Sequence, residues 1–97
     1  MDSPDGGSAA LPIDAELTAM RALLRHDQFA DALAAGKALL ARAPEQREAL
    51  LVTAVAQRFL GLVSDALDTL AILEQHHPRF SRLHEERGHC FVFMRQA

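Results

Sequence analysis

The chain has 97 residues, 49% of them apolar and 24% charged, with one cysteine. A lone cysteine excludes an internal disulfide framework, and a chain this short forms one domain or part of one, hiding roughly 60–65% of the surface its unfolded form exposes. Ten Lys and Arg against thirteen Asp and Glu give a net charge of −3, which excludes a single-sign cationic field for gripping a phosphate backbone.

Residues 1–12 hold Ser3, Pro4, Gly6, Gly7, Ser8 and Pro12 without an apolar period, and read as a flexible leader. The start, Met1-Asp2-Ser3-Pro4-Asp5, lacks the apolar run of a signal peptide. After Pro12 the pattern is helical. Ile13, Leu17, Met20 and Leu24 make a first apolar stripe, with Asp14 and Glu16 suited to the positive end of the helix dipole. A second runs through Phe29, Leu33 and Leu40 and stops before Pro44. A third carries Leu50, Leu51, Ala54 and Val55 and ends at Gly61. A fourth uses Val63, Ala66, Leu67, Leu70 and Leu73 and stops at Pro78, and a fifth starts near Ser81 with Leu83, Cys90, Phe91 and Met94. No stretch alternates with period two, so the expected class is all-α, with five antiparallel helices. The longest apolar stretches are far too short to cross a membrane, and the expected setting is cytoplasmic.

The helix breaks carry a period. Pro44 and Pro78 each close a helix, because proline cannot extend one and restricts the residue before it. At the same spacing Asp27 pairs with Gly61, Phe29 with Val63, Asp31 with Asp65, Ala32 with Ala66, Leu33 with Leu67 and Leu39 with Leu73. A period of about 34 residues built from two helices is the signature of the tetratricopeptide repeat.

The chain over 13–97 resembles that family: two whole repeats, about 11–44 and 45–78, and a partial third over 79–97. Ala32 and Ala66 supply the small residue where paired helices cross, while Phe29 and Val63 fill the gap between them. Gly61 and its counterpart Asp27 fall at the tight turn, where φ > 0 is needed. The chain also departs from the pattern: Glu16, Leu50 and His84 replace the bulky aromatic common early in the first helix of each unit, and Arg87 stands where the family usually has a leucine. The helix of the third unit, with Leu83, Phe91, Phe93 and Met94, lacks a second helix to cover it. Repeat arrays bury their faces against neighbours, so the expectation is a truncated N-terminal portion of a larger protein, completed by downstream repeats or another chain.

The resemblance implies a non-catalytic scaffold that binds a protein or peptide in a concave groove lined by the first helix of each repeat. The groove-facing positions are then Leu17, Arg21, Leu24 and Arg25, followed by Glu48, Leu51, Val55, Arg58 and Phe59, and then Arg82, Glu85, His89, Val92 and Phe93. Apolar anchors beside guanidinium groups suit a peptide bearing apolar side chains and carboxylates. Phe59 and Phe93 have an alternative role, packing between adjacent repeats. The chaperone-binding subclass clamps a C-terminal carboxylate with lysine and asparagine, but Leu17, Arg21, Leu51 and Val55 hold those positions here.

Other chemistry fits poorly. His76, His77, His84, His89 and Cys90 cluster in sequence, yet His84 and His89 diverge by about 140° around a helix, so no metal site is expected. Cys90 reads as a small core residue, and Glu85-Glu86 and Asp65/Asp68 as solvated helix faces. No phosphate-cradling loop or catalytic motif occurs, and without Trp or Tyr no nucleic-acid role is expected. No cofactor follows from these residues.

Within the repeat family, the run His77-Pro78-Arg79-Phe80-Ser81-Arg82-Leu83-His84-Glu85-Glu86-Arg87-Gly88-His89-Cys90 resembles repeats of bacterial proteins in which such an array precedes a sulfotransferase domain. Ala56-Gln57-Arg58-Phe59-Leu60-Gly61 is similar to that group too. This resemblance implies the leading helical module of an enzyme whose catalytic domain, using 3′-phosphoadenosine-5′-phosphosulfate, lies downstream. The donor loop and catalytic base of those enzymes have no counterpart in this chain.

Overall fold

Pro12 and Gln46, with ψ 145° and 116°, lead extended backbone into the apolar periods of the first and third helices. The computed structural model describes residues 12–96, so the leader expected over 1–12 lies outside the described residues except for Pro12. Five helices follow: α1 (Ile13–Arg25), α2 (Phe29–Arg42), α3 (Arg47–Phe59), α4 (Val63–His76) and α5 (Ser81–Gln96). The class is all-α, with no strand among the described residues. The odd-numbered helices start at residues 13, 47 and 81 and the even-numbered ones at 29 and 63, each a constant step of 34.

The turns repeat with the same period. After α1, the Asp27 N–H bonds to the Leu24 carbonyl at 3.1 Å and the Gln28 N–H to that of Leu23 at 2.8 Å. After α3, Gly61 bonds to Arg58 at 3.0 Å and Leu62 to Gln57 at 2.8 Å. This pair of bonds is the Schellman closure, which needs a left-handed residue just past the helix. Asp27 takes φ 60° and Gly61 φ 82°. The longer connections follow α2 and α4, where Ala43 and His77 leave the helical region at φ −138° and −140°, as the proline that follows each favours.

Every helix packs on the next, and α1 touches α3 as α3 touches α5, whereas α2 and α4 stay apart. The odd helices therefore form one layer and the even helices another. Helix α3 sits at the centre and buries Ala49, Leu50, Leu51, Val52, Thr53, Ala54, Ala56 and Gln57 around nearly its whole circumference. Over residues 81–95, helix α5 buries Leu83, Glu86 and Cys90. No described helix is long and apolar enough to cross a membrane.

Three stripes differ from the sequence reading, the first only at Ile13, which is exposed. The buried face of α2 is Ala32, Gly36 and Leu39, while Phe29, Leu33 and Leu40 are half-buried. Small residues win that face because α2 and α3 approach closely: a Cβ at Gly36 would lie 2.2 Å from the Thr53 hydroxyl. On α5, Phe91 and Met94 are each 50% exposed, since among the described helices only α4 and α3 reach this one.

Candidate functional site

The outer surface of the α1/α3/α5 layer holds two adjoining grooves. Leu24, Leu51, Val52 and Val55 form an apolar floor between α1 and α3, rimmed by Arg21, Arg25, Glu48 and Arg82, with a volume of about 230 Å³. Between α3 and α5 a second groove of about 240 Å³ is lined by Leu51, Val55, Arg58, Arg82, Glu85, Glu86 and His89. Leu51, Val55 and Arg82 belong to both, so the two form one trough. The geometry follows from helical spacing. Positions 48, 51, 52 and 55 lie on one face of α3, and 82, 85, 86 and 89 repeat that face on α5.

Two ion-pair arrangements organise the trough. Arg58 grips Glu86 through both nitrogens of its fork, Nε to Oε2 and Nη2 to Oε1, the latter at 3.1 Å. Glu86 is only 5% exposed, so the pair is largely withdrawn from water. This corrects the reading of Glu85-Glu86 as a solvated face: Glu85 is exposed, but Glu86 takes the register position of buried Val52. The other arrangement centres on Glu48. Its carboxylate lies 3.4 Å from Arg21, 3.8 Å from Arg82 and 3.6 Å from Arg47. Arg47 leans the other way, over the Phe80 ring at 4.5 Å.

Of the residues the sequence placed on the groove, Arg21, Leu24, Arg25, Glu48, Leu51, Val55, Arg58, Arg82, Glu85 and His89 line the trough. Leu17 is buried in the α1/α2/α3 core instead. Phe59 lies outside the trough lining and stacks flat on Phe29 with ring centroids 4.5 Å apart, tying α2 to the end of α3. Phe93 and Val92 are exposed on α5 and line neither groove. Val52 and Glu86 are lining residues that residue-type reasoning missed, although the repeat register links them.

Comparison with protein-family models, with curated proteins and with solved structures finds no match to this chain.

The histidines scatter. His77 Nε2 lies 2.7 Å from the Glu45 carbonyl oxygen and His76 Nδ1 3.6 Å from the Glu45 carboxylate, while His84 is exposed and His89 faces the trough. Among the described residues no three His, Cys, Asp or Glu gather where they would hold a metal. Cys90 is buried in the α3/α4/α5 core, and burial, with the Glu86 charge second, pushes its thiol above the usual range. A thiol held in its protonated form is a poor nucleophile at neutral pH. A third, open hollow of about 410 Å³ lies at the α4–α5 turn, among Arg47, His77, Pro78, Arg79, Phe80 and Ser81.

Proposed function

We propose that this chain is a tetratricopeptide-type helical-repeat scaffold, non-catalytic by itself, that docks a peptide or protein segment along the α1/α3/α5 trough. The observation that carries the reading is the continuity of that trough. One apolar floor, Leu24, Leu51 and Val55, runs across it, with guanidinium groups along the rim. Concave sites of this kind bind through a few apolar anchors with polar groups fixing orientation. The constant step of 34 residues between equivalent helices supports the repeat assignment. On this reading α5 is the first helix of a third unit, whose second helix would lie over Gly88 and Phe91.

The test is a groove-filling substitution. Val55→Trp places a large side chain on the shared floor, where Val55 is half-buried. Peptides selected against the intact chain should lose at least about tenfold in affinity for this variant while its helical circular dichroism is retained. Unchanged affinity in a folded variant would place the docking surface elsewhere.

A further inference from the structure

We infer that the trough selects an acidic peptide segment, its carboxylates seated at the Arg21–Arg82 end and an apolar side chain over Leu51 and Val55. This rests on the peptide-docking reading above and adds the chemistry of the ligand. The two ion-pair arrangements differ in what they leave free. Arg58 is committed, since both its donors meet Glu86 and its side chain is only 17% exposed. Arg21 and Arg82 are held more loosely: Arg21 donates one long hydrogen bond of 3.4 Å to Glu48 and Arg82 stands 3.8 Å from it, both beyond the roughly 2.7–2.9 Å of a short charge-assisted bond, and they are 45% and 60% exposed. Arg25 adds a third guanidinium on the same rim.

The rim of this end thus carries one carboxylate, Glu48, and three guanidinium groups, Arg21, Arg25 and Arg82, above an aliphatic floor, in a chain whose net charge is −3. The positive surplus is local. At the α5 end it vanishes, because Arg58 and Glu86 neutralise each other and Glu85 adds a negative charge. A ligand carboxylate arriving at the first end makes short bonds to Arg21 and Arg82 in place of their long contacts with Glu48. Nucleic acid fits less well: so few surplus charges release few counterions, and no Phe ring lines the trough to stack a base, leaving the His89 imidazole alone at the α5 end.

The experiment uses the whole chain and short fluorescein-labelled Leu/Ala peptides carrying either two glutamates or two lysines, read by fluorescence polarisation. The glutamate peptide should bind about tenfold tighter than the lysine peptide at low salt, with the gap shrinking at high salt. Glu48→Gln, which removes the competing carboxylate, should tighten glutamate-peptide binding about threefold, and Arg21→Glu/Arg82→Glu should invert the ranking. Helicity by circular dichroism confirms that each variant is folded. Binding of both peptides with no ranking, or a ranking that survives the charge reversal, overturns the acidic selectivity and leaves peptide docking intact. If neither peptide binds and selected peptides ignore Val55→Trp, the docking reading itself fails. A single-stranded RNA oligonucleotide that binds where both peptides do not also overturns the inference.

Discussion

Helices α3 and α5 occupy the same place in the repeat, 34 residues apart, and have opposite fates. The positions facing the preceding helix pair are buried in both: Ala49 with Leu83, Val52 with Glu86, Ala56 with Cys90. The positions facing the following helix diverge. Leu50, Ala54 and Gln57 are buried under α4, whereas their counterparts His84, Gly88 and Phe91 are exposed. The polar Gln57 lies inside, accepting a hydrogen bond from the buried Thr69 hydroxyl at 2.7 Å, while the phenyl ring of Phe91 is half in water. Burial here is decided by which neighbour exists, and only secondarily by the side chain.

The largest effect should come from the face that distinguishes the two helices. Leu50→Ala opens a cavity against α4 and should cost about 2–4 kcal/mol in denaturant unfolding, whereas His84→Ala at the matching position should change stability by under about 0.5 kcal/mol. Equal costs for the pair would show that α5 is covered in solution as α3 is.

Next is the ionic junction. Leu24 and Val52 at the first junction correspond to Arg58 and Glu86 at the second. Arg58→Leu alone strands a buried carboxylate and should destabilise by about 2–3 kcal/mol. Adding Glu86→Val rebuilds the first junction's chemistry and should recover most of that loss, since apolar replacement of a buried pair is often neutral or better. Failure of the double variant to recover would mean that the two junctions differ in backbone geometry as well as in charge.

A smaller effect is expected at the α2–α3 crossing. Gly36→Ala places its methyl against the Thr53 hydroxyl, and should cost about 1–2 kcal/mol despite the gain in helix propensity. The Thr53 hydroxyl is buried and has no hydrogen-bond partner among the described residues. Thr53→Ala should therefore rescue Gly36→Ala, as a double-mutant cycle would measure.

The mildest probes are titrations. The Arg87 hydrogen bond, at 3.0 Å, and then its charge hold the Glu74 carboxyl below the usual carboxylate range. That contribution is present above the unfolded pKa and is lost as pH falls through the folded one. Arg87→Ala should return Glu74 toward its ordinary value in an NMR titration. For Cys90 the sign reverses: the raised thiol pKa favours folding at neutral pH, and the contribution fades at alkaline pH as the pH passes through the folded value. Cys90 should thus resist alkylation at pH 8 until α5 detaches, and faster labelling would mark that helix as the first to open.

Local chemistry made much of the architecture legible in the sequence. The prolines after α2 and α4, the left-handed positions Asp27 and Gly61, and the paired Ala32 and Ala66 are constraints set by one residue and its chain neighbours, so they survive translation into structure. The trough was legible to the extent that helical spacing and the repeat step fix which residues share a face. The tertiary structure alone decided the rest. Glu86 is buried because Arg58 waits across the α3–α5 contact, Phe91 is exposed because none of the described helices lies over it, and glycine suits position 36 because the Thr53 side chain occupies the space a Cβ would take. Each outcome depends on a partner many residues away along the chain, at a distance set by the packing of whole helices, and such distances are written in no local pattern.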